Sequence, residues 1–368
     1  MIEEFFLLRL PGADTILYSA GLVEAPGLGK ASTALTTESA DHYFVIKPFE
    51  RGSQRIYLPY GGETDRLGSS VIAAIDSISA ANTRRCQLVA DSLAMLSHPE
   101  NAPELVYPQI VGEAVDYIKE LESASGEPSK IVLSGLFLKD ITETPSESFQ
   151  RLCRQYPRAN VFLYSTPQTG TWIGASPELL VEAHAGLIRS VALAGSKRID
   201  DSTAWDAKNR EEHAIVARTI AAEFDAWGLS PLVSATTERS AGPVKHLYCE
   251  IEGNNSRNIL GNNPDKSNIG PSILDIADSL SPTPALGGYP RREALDFIRR
   301  KERHRRGCYA GYAGIVGDSY ARLFVNLRSA LLAGGSQALV FAGAGITSRS
   351  EPEKELAEIL LKSTSIYT

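Results

Sequence analysis

Glu355, Glu358 and Lys362 stand at i, i+3 and i+7 in the segment Glu351-Pro-Glu-Lys-Glu-Leu-Ala-Glu-Ile-Leu-Leu-Lys362. On a helix all three project from one side. Pro352 is a favoured first-turn residue, and no Gly or Pro follows before Ser363, so a helix is expected here. Leu356, Ile359 and Leu360 fall on the opposite side and are expected to be buried. Just upstream, Phe341-Ala-Gly343-Ala-Gly345-Ile reads as a short strand followed by a turn of tiny residues, where backbone can approach a ligand closely. Two carboxylates suit Mg²⁺, which takes a few carboxylates plus ligand oxygens. A nearby amine suits an anionic substrate. Taken alone, such a helix face is more often a solvated, salt-bridged surface, so its company decides.

Four further sites stand out. Glu178 follows Pro177 in the glycine-flanked Gly174-Ala-Ser-Pro-Glu-Leu-Leu, a turn at the edge of a strand pair. Lys130 opens the apolar run Lys-Ile-Val-Leu; if desolvated there, its amine can serve as a general base. Arg210-Glu211-Glu212-His213 lies in a long amphipathic helical stretch over 206–227, with Ala214, Ile215, Ala217, Arg218, Ile220, Ala221 and Phe224 at helical spacing. Arg328 reads as a charge within the strand Leu323-Phe-Val-Asn-Leu-Arg-Ser, where it needs an anionic partner. A substrate carboxylate or a protein carboxylate would serve equally.

The elements that must position these residues are mixed. Residues 1–125 combine short strand-like runs (Tyr43–Ile46, Gln54–Leu58) with helical stretches near 70–96 and 110–122. Beyond them, Lys130–Ser134, Val161–Tyr164, Thr171–Gly174 and Leu187–Leu193 read as strands. Residues 308–316, 321–332 and 338–342 read as three more before the final helix. The pattern predicts an α+β fold of large, mostly antiparallel sheets with flanking helices. No repeat, low-complexity tract or linker divides the 368 residues, so one domain is expected, with 1–125 as a variable N-terminal part and 126–368 as the catalytic core. The composition is ordinary for a globular protein, at 43% hydrophobic and 22% charged residues. The net charge of −7, with no basic block, argues against nucleic acid or an anionic membrane as partner. The four cysteines form no CxxC pair and no zinc spacing. There is no signal-peptide pattern and no apolar run of membrane-spanning length, so a cytoplasmic location is expected. No Walker loop or GxGxxG opens a helix after a strand, and nucleotide binding has no support. Nothing demands a partner chain, and a monomer is the expectation.

Eight segments in this order resemble the chorismate-utilising enzyme family: Lys130-Ile-Val-Leu-Ser, Gly174-Ala-Ser-Pro-Glu178-Leu-Leu, Leu193-Ala-Gly195-Ser-Lys-Arg, Arg210-Glu-Glu212-His213, Pro282-Thr-Pro-Ala-Leu-Gly-Gly-Tyr-Pro290, Tyr309-Ala-Gly, Phe341-Ala-Gly-Ala-Gly-Ile and Glu355-Leu-Ala-Glu358 with Lys362. The resemblance covers about residues 125–368. It implies the fold of that family, shared with anthranilate synthase component I, and chorismate as the small-molecule substrate. It also implies roles. Lys130 matches the general base that activates water, and Glu178 the general acid that protonates the departing C4 hydroxyl. Glu212 and Glu358 match Mg²⁺ ligands, with Glu355 in the same cluster. Gly195, Arg328, Gly343 and Lys362 match positions that hold substrate carboxylates.

Within the family, Lys130 together with Ala194 resembles the branch that adds water rather than ammonia. The implied reaction is Mg²⁺-dependent conversion of chorismate to isochorismate, for menaquinone or siderophore biosynthesis. The alternatives are a salicylate synthase, which goes on to expel pyruvate, and a non-catalytic binding protein on the same fold. Two departures prompt the last. Gly135 stands where relatives usually have Arg, and Ser281 where a His often precedes Pro-Thr-Pro. The basic run Arg299–Arg306 is expected to be a solvated helix face.

Overall fold

The computed structural model describes residues 3–24, 42–50, 52–241, 244–254, 272–317 and 320–367. In chain order the elements are β1 (Phe5–Arg9), β2 (Ile16–Ser19), β3 (Tyr43–Lys47), β4 (Ile56–Thr64), α1 (Ser69–Arg85), α2 (Gln87–Leu96), α3 (Pro103–Ser125), β5 (Lys130–Asp140) and α4 (Pro145–Gln155). Then follow β6 (Asn160–Thr166), β7 (Gly170–Ser176), β8 (Leu179–His184), β9 (Leu187–Arg198), α5 (Ala207–Ala226), β10 (Leu232–Val233), β11 (Thr237–Ala241) and β12 (Val244–Asn254). The chain continues with α6 (Ile273–Leu280), β13 (Gly288–Tyr289), α7 (Arg291–Lys301), β14 (Tyr312–Val316), β15 (Tyr320–Val325), β16 (Ser329–Gly334), β17 (Gln337–Ile346) and α8 (Pro352–Ser363). The expected α+β architecture is present.

Among the described residues every strand pairing is antiparallel. One layer runs β4–β2–β1–β6–β7–β16–β17–β5–β13. The other runs β4–β3–β14–β15–β8–β9–β12, with β10 and β11 along the outer edge of β12. Strand β4 belongs to both, pairing with β3 through Ile56–Pro59 and with β2 through Tyr60–Thr64. Because side chains alternate along a strand, the first layer has two apolar faces. Phe6, Phe162, Tyr164, Trp172 and Phe341 pack in one core with Phe44, Val181 and Ile315 of the second layer. Phe6 stacks on Phe44 with ring centroids 4.7 Å apart. The opposite face, with Phe5, Leu7, Leu133 and Val340, is covered by α1, α3, α4, α7 and α8. Helix α5 lies on β9 and β12 of the second layer.

Several local expectations need correction. The helical stretch 70–96 is two helices that break at Cys86, whose extended backbone (ψ 111°) ends the first. The strand expected from 308 starts only at Tyr312. The stretch 321–332 is two strands, because Arg328 has φ +47° and turns the chain between β15 and β16. Arg328 is therefore a loop residue and not a charge inside a strand. Along α5, Ala214 and Arg218 are exposed, while Glu212, His213 and Val216 are buried. In α8 only Ile359 of the three expected apolar residues is fully buried, and Glu355 is buried beside it. The basic run is solvated at Arg299, Arg300, Lys301, Arg303 and Arg305, as expected, but not at its end. Helix α7 ends at Lys301, and beyond it Arg306 is 2% exposed against an equally buried Glu302 side chain. The four cysteines are free thiols.

Candidate active site

A cavity of about 100 Å³ opens where the two layers approach each other. Its wall includes Glu178, Gly195, Glu212, Arg328, Gly343 and Lys362, six of the nine residues singled out from the sequence. Lys130 stands just behind this wall, fully buried, with its ammonium 2.8 Å from Glu212 Oε1. Glu355 and Glu358 line an adjoining recess that shares Ser196 with the cavity. All nine thus belong to one region, although they come from both layers and from two helices.

Local backbone explains the convergence. Lys130, Val132 and Ser134 alternate on the inner face of β5. Beside them β17 runs with Gly345 opposite Val132 and Gly343 opposite Ser134. A Cβ on Gly345 would overlap Glu212 Oε1 and lie 2.7 Å from Lys130 Cε, so only glycine leaves room for this pair. Gly195 has φ +72°, and a Cβ there would come within 3.0 Å of the Asn209 carbonyl. It brings β9 onto the first turn of α5, where Ser196 N–H donates to Asn209 Oδ1 at 3.0 Å. Asp206 caps that helix by accepting from Asn209 N–H, which fixes Lys208 and Glu212 one turn apart on the site's side.

The charges are organised as lysine–glutamate pairs. Lys130 faces Glu212, Lys208 faces Glu355 at 2.5 Å, and Lys362 faces Glu358 at 2.6 Å. Lys362 also donates to the Gly343 carbonyl at 3.0 Å. Burial alone would push the Glu212 carboxyl up, but Lys130, Lys208 and Lys362 hold it below its ordinary value. Burial and the neighbouring Glu358 push Glu355 up against the pull of Lys208. Among the described residues, no three His, Cys, Asp or Glu side chains converge as a ready-made metal cage. Glu355 Oε2 is nevertheless buried without a hydrogen-bond partner. An all-oxygen donor set with an orphaned buried acceptor fits a hard cation such as Mg²⁺.

Glu178 behaves differently. It is 3% exposed, and its Oε1 has no partner. Burial raises its carboxyl to about 8, with Lys130 and Arg328 pulling the other way too weakly to reverse it. At neutral pH it is a buried carboxylic acid with a proton to give. Arg328 has no carboxylate within ion-pair distance among the described residues, and burial lowers its guanidinium to about 10. An anionic ligand in the cavity would supply the missing charge.

Two contributors escaped the sequence reading. His246 lines the cavity with Nε2 3.4 Å from Arg328 Nη2 and Nδ1 3.1 Å from the Gly195 carbonyl. Burial, with Arg328 and Lys362 adding to it, lowers its imidazole to about 3. It is neutral, so Nδ1–H donates to Gly195 and Nε2 faces the guanidinium. Its signal was a lone imidazole in the strand Val244-Lys-His-Leu. Lys208 could have been found as the residue four before Glu212. The two departures lie aside from the charges. Gly135 faces Ile359 of α8, whose Cδ1 would be 2.9 Å from a Cβ there, and Ser281 ends α6.

Comparison with known proteins identifies the family. Residues 61–368 match the family described as chorismate binding enzyme. The chain is 30% identical over 271 residues to the salicylate biosynthesis isochorismate synthase of Pseudomonas aeruginosa, covering 70% of this chain and 52% of that one. It is 35% identical over 222 residues to isochorismate synthase MenF of Bacillus subtilis, covering 55% and 43%. The chain thus spans about half the length of these curated relatives. Its fold is similar to a solved chain from Bacillus anthracis, DhbC, described as a candidate 2,3-dihydroxybenzoate-specific isochorismate synthase. That TM-score is 0.71 at 22% identity, covering 99% of this chain and 95% of the other. With the family pattern spanning both sheets and all nine candidate positions, the chain belongs to the chorismate binding enzymes.

Proposed function

We propose that this protein converts chorismate to isochorismate in a Mg²⁺-dependent reaction. The observation that carries the reading is Glu178: a buried, protonated carboxyl in the same cavity as Lys362 and as Arg328, which has no carboxylate within ion-pair distance among the described residues. Chorismate is a dianion whose C4 hydroxyl is a poor leaving group until it is protonated. Arg328 and Lys362 would hold carboxylates, with Gly195 and Gly343 letting the backbone close on the ring. Glu178 gives its proton to the C4 oxygen, which departs as water. Lys130 would act as the neutral amine, having first lost its own proton: it takes a proton from the water whose oxygen bonds to C2, and the ring double bonds shift between these positions. One water enters and one leaves, so the product is an isomer of the substrate.

Glu212 and Glu358, with Glu355 beside them, would hold the metal. Bound Mg²⁺ would neutralise the ring carboxylate and stabilise charge that develops as the double bonds move. Water as nucleophile rests on the pairing of Lys130 with Ala194, whose small side chain lines the cavity. The product would supply menaquinone or a catechol siderophore.

The test is the product spectrum of purified protein with chorismate, Mg²⁺ and ammonium, by chromatography with a lactate dehydrogenase assay for pyruvate. Isochorismate should form reversibly and stop at a mixture, because hydroxyl entry and departure are chemically similar. Stoichiometric salicylate and pyruvate would mean a salicylate synthase. An amino product would overturn water as the nucleophile, and no turnover at all would favour a binding protein.

A further inference from the structure

The buried charges beyond α7 are absorbed by nothing above. Glu302, His304 and Arg306 were expected on a solvated face, yet their side chains are 3%, 7% and 2% exposed. They lie along the open edge of β5. One edge of that strand pairs with β17 from Ile131 to Asp140. The other pairs with β13 only at Lys130 and Ile131. Val132 N–H still donates to the Gly287 carbonyl at 3.2 Å, but from the Val132 carbonyl onward this edge would leave backbone groups buried without strand partners, which is costly.

Side chains take the place of the missing strand. Arg306 Nη2 donates to the Val132 carbonyl at 2.7 Å, and Nη1 donates to the Leu286 carbonyl at 2.9 Å. Ser134 N–H donates to Glu302 Oε1 at 2.7 Å, and Ser134 Oγ to the same oxygen at 3.1 Å. Arg306 binds both Glu302 oxygens, through Nε at 2.9 Å and Nη2 at 2.6 Å. His304 Nε2 lies 3.0 Å from Ser134 Oγ and completes the cluster. One guanidinium therefore ties β5, two residues beyond Lys130, to the segment that leads into β13.

We propose that Glu302 and Arg306 are positioning residues: an ion pair that substitutes for a strand along β5 and holds Lys130 against Glu212. A bidentate guanidinium is needed for this, because an ammonium cannot bridge two carbonyls and a carboxylate in one plane. The clamp stands on the geometry alone. Its link to catalysis rests on the reading of Lys130 as the base.

The test uses Arg306→Lys and Glu302→Gln in the full chain, with two readouts. In hydrogen exchange by mass spectrometry, peptides covering Val132–Leu136 should exchange faster in both variants, while those of β6 and β7 stay unchanged. In steady-state kinetics, kcat should fall about tenfold or more with the KM for chorismate within about twofold, the pattern of a displaced catalytic group. In a Lys130→Ala background the same substitutions should change kcat no further, since the group they position is gone. Losses that multiply in that background, or exchange unchanged in β5, would overturn the proposal. If Arg306→Lys does not fold, Glu302→Gln carries both readouts, because it keeps the side-chain size and removes the charge that orients Arg306. A wild-type chain inactive on chorismate would sink the reaction assigned above and leave the exchange result to judge the clamp.

Discussion

Two buried residues carry opposite assignments because their surroundings differ. Glu178 has no close cation and keeps its proton up to about pH 8, whereas Glu212 has Lys130 at 2.8 Å and is held ionised. Lys130→Ala and Glu178→Gln should each lower kcat by about 10²–10⁴-fold, the usual cost of losing a general base or acid. Circular dichroism should show the fold retained. Near-wild-type rates for Lys130→Ala would remove it from the chemistry. The acid assignment also fixes a pH dependence. Glu178 must be protonated to act, so kcat should fall as pH rises through about 8. Stability follows the same sign. The carboxyl binds its proton more tightly folded than unfolded, so its contribution is fully present below the ordinary carboxyl value and is lost as pH rises towards 8. Glu178→Gln cannot ionise, so at pH 8 it should melt higher than wild type. A melting temperature at pH 8 below wild type would show that Glu178 is paired rather than merely buried.

At the level of elements, the site depends on how closely β17 approaches α5. Gly345→Ala would push a methyl into Glu212 and Lys130, so the pair must separate or the strand must shift. Overpacking of this kind costs about 1–3 kcal/mol. The substitution should lower the melting temperature and cost activity out of proportion to stability, read by calorimetry and kcat together. A fully active variant would mean that the Lys130–Glu212 contact is not needed. Much of this arrangement was legible in the sequence. The i, i+3, i+7 spacing put Glu355, Glu358 and Lys362 on one face of α8, and the run after Lys130 announced β5. The errors share a cause: burial and backbone turns are set by neighbours distant in sequence. Arg328 looked like a strand residue because its flanks are apolar, but its φ of +47° depends on β16 pairing with β7. Glu302 and Arg306 looked solvated because they follow a basic helix, and only the open edge of β5 gives them partners. Lys208 was visible as the residue one turn before Glu212, but its glutamate lies 147 positions away.

Across the whole molecule, the site joins parts that otherwise pack separately. Glu212 rides on α5 against the second layer, whereas Glu355, Glu358 and Lys362 ride on α8 against the first. The net charge of −7 is unfavourable for a dianion, so attraction must come from the local cations Lys130, Lys208, Arg328 and Lys362. Three of these pair with glutamates. A divalent cation shared by Glu212 and Glu358 would release lysines towards the substrate and tie α5 to α8. Binding that favours the folded state raises its stability by an amount set by ligand concentration over Kd, about 2.7 kcal/mol at a hundredfold excess. Mg²⁺ and chorismate together should therefore raise the melting temperature by more than the sum of their separate effects. Glu212→Ala and Glu358→Ala should each abolish that surplus and raise the Mg²⁺ concentration needed for turnover, and EDTA should abolish turnover in the wild type. Differential scanning fluorimetry with a Mg²⁺ titration decides the matter. Additive shifts, or full activity in EDTA, would show that these glutamates serve only as partners for the lysines.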